Sequence, residues 1–162
     1  MIEITGLFLY PVKGLRGVSV QDAKLTARGL YQDRHWMIVM PNGRMVTQRQ
    51  KPELARLSAR LSEHHLIIDS EGEESLKVPI RQQANDLVKV SVWRDEFSAL
   101  DVGTEASEWL TRVLDSNYTL RLVAMDDEVL RPQSKPELLG EDTHTAFADS
   151  APFLITNEAS LE

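Results

Sequence analysis

Apolar and polar residues alternate with a period of two through most of the first hundred residues, in short runs separated by turns. Such alternation predicts half-buried β-strands, and the first of these runs spans Ile2–Tyr10. The second run, Val18–Thr26, loses its phase near Gln21–Asp22, which is typical of a β-bulge. Asn42-Gly43 lies between two apolar runs and predicts a hairpin turn.

Four later stretches continue the same pattern: "HLIIDS", "LKVPI", "DLVKVSVW" and "YTLRLVAM". In the third of them, Val88, Val90 and Val92 share one face of the predicted strand, and Lys89 and Ser91 lie on the other. Many short strands with few helices favour a barrel or a sandwich, because both folds shield the edges of their sheets.

One segment has a helical period instead. In "GTEASEWLTRVLD" the apolar residues recur at helical spacing and form one face. These residues are Ala106, Trp109, Leu110, Val113 and Leu114. Thr104 is placed to cap the helix, and two glutamates occupy its first turn, where the helix dipole favours negative charge. The pattern therefore predicts one amphipathic helix near residues 104–115.

The length and residue inventory set broad limits. A chain of 162 residues holds one domain, or one domain and the start of another. It contains no cysteine, which excludes disulfides, thiolate metal ligands and cysteine nucleophiles within these residues. The first residues lack the features of a signal peptide, and no run reaches the roughly 18 apolar residues of a membrane span. We therefore expect a cytoplasmic protein with no membrane partner.

The character of the sequence changes after Met125. Residues 126–145 are acidic, contain two prolines and show no periodicity, which indicates a long loop or linker. The stretch "FADSAPFLITNEASLE" then reads as the beginning of another folded unit. We expect residues 1–125 to form one domain and residues 146–162 to be the truncated, partly mobile start of a second.

The net charge of −7 argues against a nucleic-acid partner. The charge is unevenly distributed, because residues 1–52 hold eight Lys or Arg against three Asp or Glu, a local balance of +5. A basic first third in an acidic protein suits a small anion bound at one place. Chance clustering of solvated charges is the alternative that composition leaves open.

The sequence "YPVKGLRG" places Lys13 and Arg16 on a turn bounded by Gly14 and Gly17. Lysine acts as a point charge toward phosphate, and backbone N–H groups of a glycine-rich turn can complete an anion nest. Arg34 follows a second glycine-containing turn, and arginine can bind phosphate through two parallel hydrogen bonds. A merely solvated loop remains the competing interpretation.

Other polar residues give weaker signals. Asp33 beside Arg34 indicates a local salt bridge or turn cap more strongly than a catalytic acid. His64 and His65 would point to opposite faces of a strand, so they cannot easily share one metal ion. Asp149-Ser150 can cap a turn or contribute to an anion site. We assign no catalytic residue and no metal ligand to this chain.

Four segments, in this order, resemble the MOSC proteins (molybdenum cofactor sulfurase C-terminal type): "LFLYPVKGLRGVSV", "GLYQDRHWMIV", "GRMVTQRQKPEL" and "FADSAPFLITNEASL". They are most similar to the branch that contains the mitochondrial amidoxime-reducing component and its bacterial relatives. The resemblance covers nearly the whole chain. It implies a mostly β fold, with a closed or nearly closed barrel followed by the first residues of the MOSC domain itself.

The resemblance also implies a ligand, the molybdenum–pterin cofactor, which carries a phosphate. The family's cofactor-binding lysine matches Lys13, and the arginine of its "DRxW" motif matches Arg34. The family's serine after that lysine is Gly14 here, so a hydroxyl contact is missing, although a backbone N–H can replace it. The positions that correspond to the family's cofactor contacts are Lys13, Gly14, Arg34, Asp149, Ser150 and Ala151. Arg16 and Arg49 lie in matching motifs without a defined contact.

The implied function is that of a domain that covers the cofactor and shapes substrate entry in an oxidoreductase of N-hydroxylated compounds. Its partners would be the rest of the MOSC domain and an electron-donating reductase or ferredoxin-like protein. The family's metal-ligating cysteine is absent, so we expect this chain alone to be inactive. The alternatives are a sulfur- or molybdenum-cofactor carrier without turnover, with a pyridoxal-phosphate link by analogy, and a structural domain with exposed cations.

Overall fold

The structure is a computed structural model that describes residues 3–81 and 86–160. The predicted start of the first strand at Ile2 and the terminal Leu161-Glu162 lie outside the described residues. Most regular structure is β, as the alternation predicts. The strands are β1 Phe8–Leu9, β2 Val12–Lys13, β3 Val18–Ser19, β4 Leu25–Thr26, β5 Gly29–Leu30, β6 Trp36–Val39, β7 Ser58–Leu61, β8 His65–Asp69, β9 Leu76–Pro79, β10 Leu87–Val92, β11 Asp95–Asp101 and β12 Arg121–Ala124.

Helices are few. The main one, α1, spans Thr104–Val113, close to the predicted range. A single-turn helix, α2, spans Pro136–Leu139 inside the segment that the sequence predicts to be a loop. Two short 3₁₀ helices occupy Pro52–Arg56 and Glu158–Ser160. No helix among residues 3–81 and 86–160 is long and apolar enough to cross a bilayer.

The largest sheet has the strand order β10-β11-β12-β6-β2. Its neighbouring strands are antiparallel except for β2 and β6, which run parallel and pair Lys13 with Met37. All four residues of β6 are buried, so this strand is covered on both faces. The parallel pair places the chain around Lys13 beside the chain that follows Arg34.

The closed or nearly closed barrel predicted above is not observed. The described strands form four open sheets, and the three smaller ones are β1-β3, β4-β5 and β7-β8-β9. Several strands have only two residues, and Pro11, which lacks an N–H donor, separates β1 from β2. The ladders are therefore too short to continue around a ring. Isolated bridges, Val39 to Met45 and Arg44 to Ser91, connect β6 with β10 through the segment that follows the turn at residues 42–43.

The predicted turn at Asn42-Gly43 is present, although the chain that returns from it forms isolated bridges at Arg44 and Met45 instead of a strand. The N–H of Gly43 donates to the Met40 carbonyl at 2.9 Å, and the N–H of Val46 donates to the Ile38 carbonyl at 2.9 Å. The predicted strand Val18–Thr26 divides into β3 and β4 around the point where its phase changes. The turn prediction is confirmed, whereas the predicted bulge is wrong: β3 pairs with β1 and β4 pairs with β5, so the run is interrupted between two separate sheets.

The amphipathic helix packs as predicted, but its cap differs. Ala106, Trp109 and Leu110 are buried and join the larger of two apolar clusters. Thr104 is not the cap. Gly103 occupies that position with φ of +116° and no side-chain capping bond, and Thr104 is the first helical residue. A glycine at this place lets the chain leave β11 in a conformation that a side chain would oppose.

The second apolar cluster connects the central sheet to the segment after residue 144. Val90 and Val92 of β10 belong to it, which confirms that the valines of this strand face inward. Phe147 also belongs to it and stacks on Phe97 of β11, with ring centroids 5.8 Å apart. This packing brings residues 146–148, and with them Asp149, against the sheet that carries Lys13.

Candidate functional site

Backbone pairing brings the "YPVK" and "DRHW" segments side by side. The N–H of Arg34 donates to the Tyr10 carbonyl at 2.7 Å, and the N–H of Trp36 donates to the Pro11 carbonyl at 3.1 Å. The parallel ladder of β2 and β6 continues this contact to Lys13. Two cations that are 21 positions apart in the sequence thus reach one region of the surface.

Arg34 is held by a strained backbone and two neighbouring side chains. Its φ is +47°, a left-handed value that non-glycine residues adopt infrequently. Its guanidinium forms an ion pair with Asp33 and lies 5.2 Å from the centroid of the Tyr10 ring. Asp33 also accepts a hydrogen bond from the Tyr10 N–H at 2.8 Å. The salt bridge that the sequence favours for Asp33 is therefore present.

Lys13, Asp149 and Trp93 form the central contact of the site. Oδ1 of Asp149 accepts hydrogen bonds from Lys13 Nζ at 2.6 Å and from Trp93 Nε1 at 2.7 Å. The Lys13 side chain is 13% exposed, whereas that of Asp149 is 62% exposed. The cation is therefore set into the protein surface, and the carboxylate covers it from the solvent side.

The protein environment opposes the positive charge on Lys13. Burial is the main reason that its pKa is lowered, and the charges of Arg131 and Arg34 act in the same direction. The hydrogen bond and the charge of Asp149 oppose this effect without cancelling it. A lysine in this position gains from a nearby anion, because an anion offsets both the loss of solvation and the repulsion.

Asp149 shows the complementary behaviour. Burial acts to raise its pKa, but the hydrogen bond and charge of Lys13 outweigh burial and hold the pKa below its ordinary value. The Trp93 N–H and the charge of Arg131 contribute to the same lowering. The site therefore stabilises a negative oxygen at the point where Asp149 Oδ1 lies.

Arg131 fixes the segment that carries Asp149. Its Nη1 donates to the carbonyls of Ala146 at 2.8 Å and Ala148 at 2.6 Å. Its Nη2 and Nε donate to Oδ2 of Asp95 at 2.6 Å and 3.2 Å. The guanidinium also lies 5.4 Å from the Phe97 ring centroid. This buried cation joins β11 to the residues just before Asp149.

The other sequence-predicted positions are distributed around this contact. Gly14 has φ of +85°, and its carbonyl accepts a hydrogen bond from Gln48 Nε2 at 2.7 Å. The Ser150 hydroxyl is 2.6 Å from that of Ser134, and Ala151 is half-buried beside it. The backbone of Arg16 bridges to Ser58 instead of joining this cluster. The structure thus joins Lys13 directly to Asp149 and places Ser150 one residue further along.

Sequence reasoning missed the contributions of Trp93 and Arg131, and it named Arg49 without assigning it a contact. Trp93 is 54% exposed, and the Arg49 guanidinium lies 5.6 Å from its ring centroid. For Trp93 the sequence offers one signal of an unusual role, because this tryptophan occupies the turn of the β10–β11 hairpin, where glycine or asparagine is usual. For Arg131 the sequence offers no comparable signal. Within residues 3–81 and 86–160, no group of three or more His, Asp or Glu side chains could hold a metal ion.

His35 follows Arg34, and its buried position is expected to make the stability of the fold depend on pH. Burial lowers its pKa from 6.5 to about 4, the charge of Asp127 opposes this shift, and that of Arg28 adds to it. The unfolded chain therefore binds a proton that the folded chain excludes between these two values. Stability from this group is complete above pH 6.5 and falls as the pH drops toward 4, by about 2 kcal/mol at pH 5.

Urea unfolding at pH 8 and pH 5 measures this loss. The His35→Gln variant should lose most of the pH dependence between those values, while His64→Gln, which removes an exposed histidine, should retain it. Asp149 does not contribute to the difference between pH 8 and pH 5, because its pKa is lowered from 3.8 and its effect on stability falls below that pH. An unchanged pH dependence in His35→Gln would show that His35 is not the responsible group.

Comparisons with known proteins identify the family of this chain. The MOSC N-terminal beta barrel domain family matches residues 1–117. Mitochondrial amidoxime-reducing component 1 of Danio rerio is 33% identical over 164 residues, covering 98% of this chain and 50% of the relative. Its Homo sapiens counterpart is 33% identical over 165 residues, covering 98% and 49%. The chain therefore spans about half the length of these relatives.

A solution structure of a Bordetella bronchiseptica protein is similar at a TM-score of 0.49 and 19% identity, over 56% of this chain and 71% of that one. This similarity is too low to support a conclusion. The sequence match to the family is much more extensive. Since it covers residues 1–117 of the 162, the chain belongs to the MOSC N-terminal beta barrel domain family.

Proposed function

We propose that this chain forms the cofactor-covering, substrate-shaping part of a molybdenum-cofactor oxidoreductase that reduces N-hydroxylated compounds. The named relatives are amidoxime-reducing components, and about half of each is represented here. The observation that carries the proposal is the largely buried ammonium group of Lys13. Its pKa is lowered by burial and by two further cations, Arg131 and Arg34. That environment suits the phosphate of a pterin cofactor.

The residues present fit the phosphate end of such a group. Asp149 already places a carboxylate oxygen between Lys13 and Trp93, so the site accepts an anionic oxygen. Lys13 and Arg34 would bind and orient the phosphate, with Gly14 beside them. The bound molybdenum would supply the redox chemistry. The chain has no cysteine, so a protein thiolate for the metal would have to come from outside these 162 residues.

Three narrower points belong to the same proposal. We expect the 162-residue chain alone to be inactive, because it provides no thiolate ligand for the metal. Residues 126–145 would link the domain of residues 1–125 to the start of the MOSC domain at 146–162. The electron donor would be a reductase or a ferredoxin-like protein. A cytoplasmic location stays a prediction, and the named relatives are mitochondrial.

The experiment uses the chain extended to the full length of its relatives. Lys13→Met combined with Arg34→Gln should reduce bound molybdenum at least about tenfold, because each residue provides a charge-assisted contact to phosphate. Lys77→Met, an exposed cation on β9, is the matched control and should leave the molybdenum content unchanged. Elemental analysis measures the metal, and amidoxime reduction with a supplied electron donor measures activity.

The possible results separate the candidate functions. Full retention of molybdenum by the double variant would refute the site. Retention of the cofactor by the unmodified protein without any amidoxime reduction would favour the carrier. Equal loss in the Lys77→Met control would show that general surface charge, and not this site, determines cofactor content.

A further inference from the structure

One carboxylate oxygen receives two different donors at the site. Lys13 Nζ and Trp93 Nε1 both point at Oδ1 of Asp149, at 2.6 Å and 2.7 Å. The donors come from β2 and from the β10–β11 turn, whereas the acceptor comes from a third segment, more than fifty residues further along the chain. Because the Asp149 side chain is 62% exposed and that of Lys13 is 13% exposed, the acceptor is the more accessible member.

Trp93 is held in a conformation that its own packing does not explain. The register pairs Val92 with Asp95, so Trp93 and Arg94 form a two-residue turn. Its φ is +55°, in the left-handed region where a bulky residue is strained. The residue is 54% exposed, so burial gives little compensation. From this turn the indole N–H donates to the oxygen that it shares with Lys13.

The charges that face this oxygen position leave Lys13 in need of an anion. Arg34 forms an ion pair with Asp33, and Arg131 forms one with Asp95. Among residues 3–81 and 86–160, the carboxylate within ion-pair distance of Lys13 is that of Asp149. If this carboxylate moves away, Lys13 loses its counter-ion, whereas Arg34 and Arg131 keep theirs.

The backbone around Asp149 is fixed independently of its side chain. Arg131 Nη1 holds the Ala148 carbonyl at 2.6 Å, and the N–H of Ser134 donates to the Ser150 carbonyl at 3.1 Å. The carboxylate can therefore leave by rotation of its side chain while residues 148 and 150 stay in place.

We propose that Trp93 is a donor of the anion site, and that Asp149 occupies the oxygen position that an oxyanion of the phosphate class takes on binding. The inference rests on the function proposed above. It makes Asp149 a competitor of the ligand, whereas the family resemblance of the sequence implies that this position is a cofactor contact.

Titration of the 162-residue chain with inorganic phosphate tests the inference, with the indole N–H resonance of Trp93 and the amide of Gly14 as NMR probes. Asp149→Asn should bind phosphate about tenfold more tightly, because a neutral amide competes for Lys13 less strongly than a carboxylate. Asp142→Asn removes the same charge from an exposed turn and should bind like the unmodified chain. Adding Trp93→Phe to Asp149→Asn should weaken binding about tenfold, through loss of one hydrogen bond to a charged group.

A second variant separates the donor from the fold. Trp93→Gly relieves the strained turn, so in the Asp149→Asn background it should raise the melting temperature and still weaken phosphate binding.

Two results overturn the inference. One is phosphate binding by Asp149→Asn that is unchanged or weaker than that of the unmodified chain. The other is phosphate binding by the Asp149→Asn, Trp93→Phe double variant that equals that of Asp149→Asn alone. Lys13→Met in the same background tests the site itself. If phosphate binding survives that change, the proposed function fails; if only Trp93→Phe is without effect, the proposed function stands and this inference does not.

Discussion

Replacing Arg131 with methionine is expected to lower the free energy of unfolding by about 4 kcal/mol. Arg131 is buried and donates to the carbonyls of Ala146 and Ala148 and to Asp95. Methionine keeps most of the apolar stem but removes every donor, so two backbone carbonyls are left without their partner. Urea unfolding followed by tryptophan fluorescence measures the loss.

The matched control for this prediction is Arg112→Met. Arg112 also forms an ion pair, with Glu73 at 3.2 Å, but both side chains are more than one-third exposed. Its removal should cost less than about 1 kcal/mol, as exposed pairs usually do. Amide exchange gives a second readout, since the N–H of Phe147 should lose protection in Arg131→Met. Similar costs for the two variants would contradict the structural role of Arg131.

Replacing Gly43 with alanine is expected to cost about 3 kcal/mol, because strain and steric overlap combine at this position. Its φ is +79°, and an added Cβ would lie 2.1 Å from the Lys89 carbonyl oxygen. The overlap falls where the Gly43 carbonyl accepts a hydrogen bond from the Ser91 N–H at 3.0 Å. Alanine would therefore push the β6 hairpin away from β10.

Gly72 provides a control with the same backbone conformation. Its φ is also +79°, but an added Cβ would meet nothing within 4 Å. Gly72→Ala should cost about 1 kcal/mol, the effect of the left-handed conformation alone. The difference between the two variants isolates the close approach of β10, and equal costs would show that this contact contributes nothing.

The sequence predicts elements well where one local pattern decides them. Helix α1 and the inward face of β10 follow from the spacing of apolar residues, because burying one face is a requirement that each segment meets alone. The turn at Asn42-Gly43 follows from the backbone preferences of those two residues. The prediction that Thr104 caps α1 was wrong. The chain passes from β11 to the helix through Gly103, whose positive φ places it at the capping position.

Local sequence patterns could not predict whether the sheets close into a barrel, nor which residues meet at the site. Alternation predicts strands but not how many residues of each will pair, and two-residue ladders leave the sheets open. Trp93 is a second example, since no local pattern around it shows that its indole N–H would donate to Asp149 from a strained turn.

By itself, the sequence determined the β character, the helix, the basic first third and the family likeness, since each depends on residues that are near one another in the chain or matched in order. Only the tertiary structure decided that Asp149 would meet Lys13 across 136 positions and Trp93 across 56. The physical reason is that such contacts depend on strand order and on the packing of Phe147 and Arg131, which involve the whole core and which no local run of residues specifies.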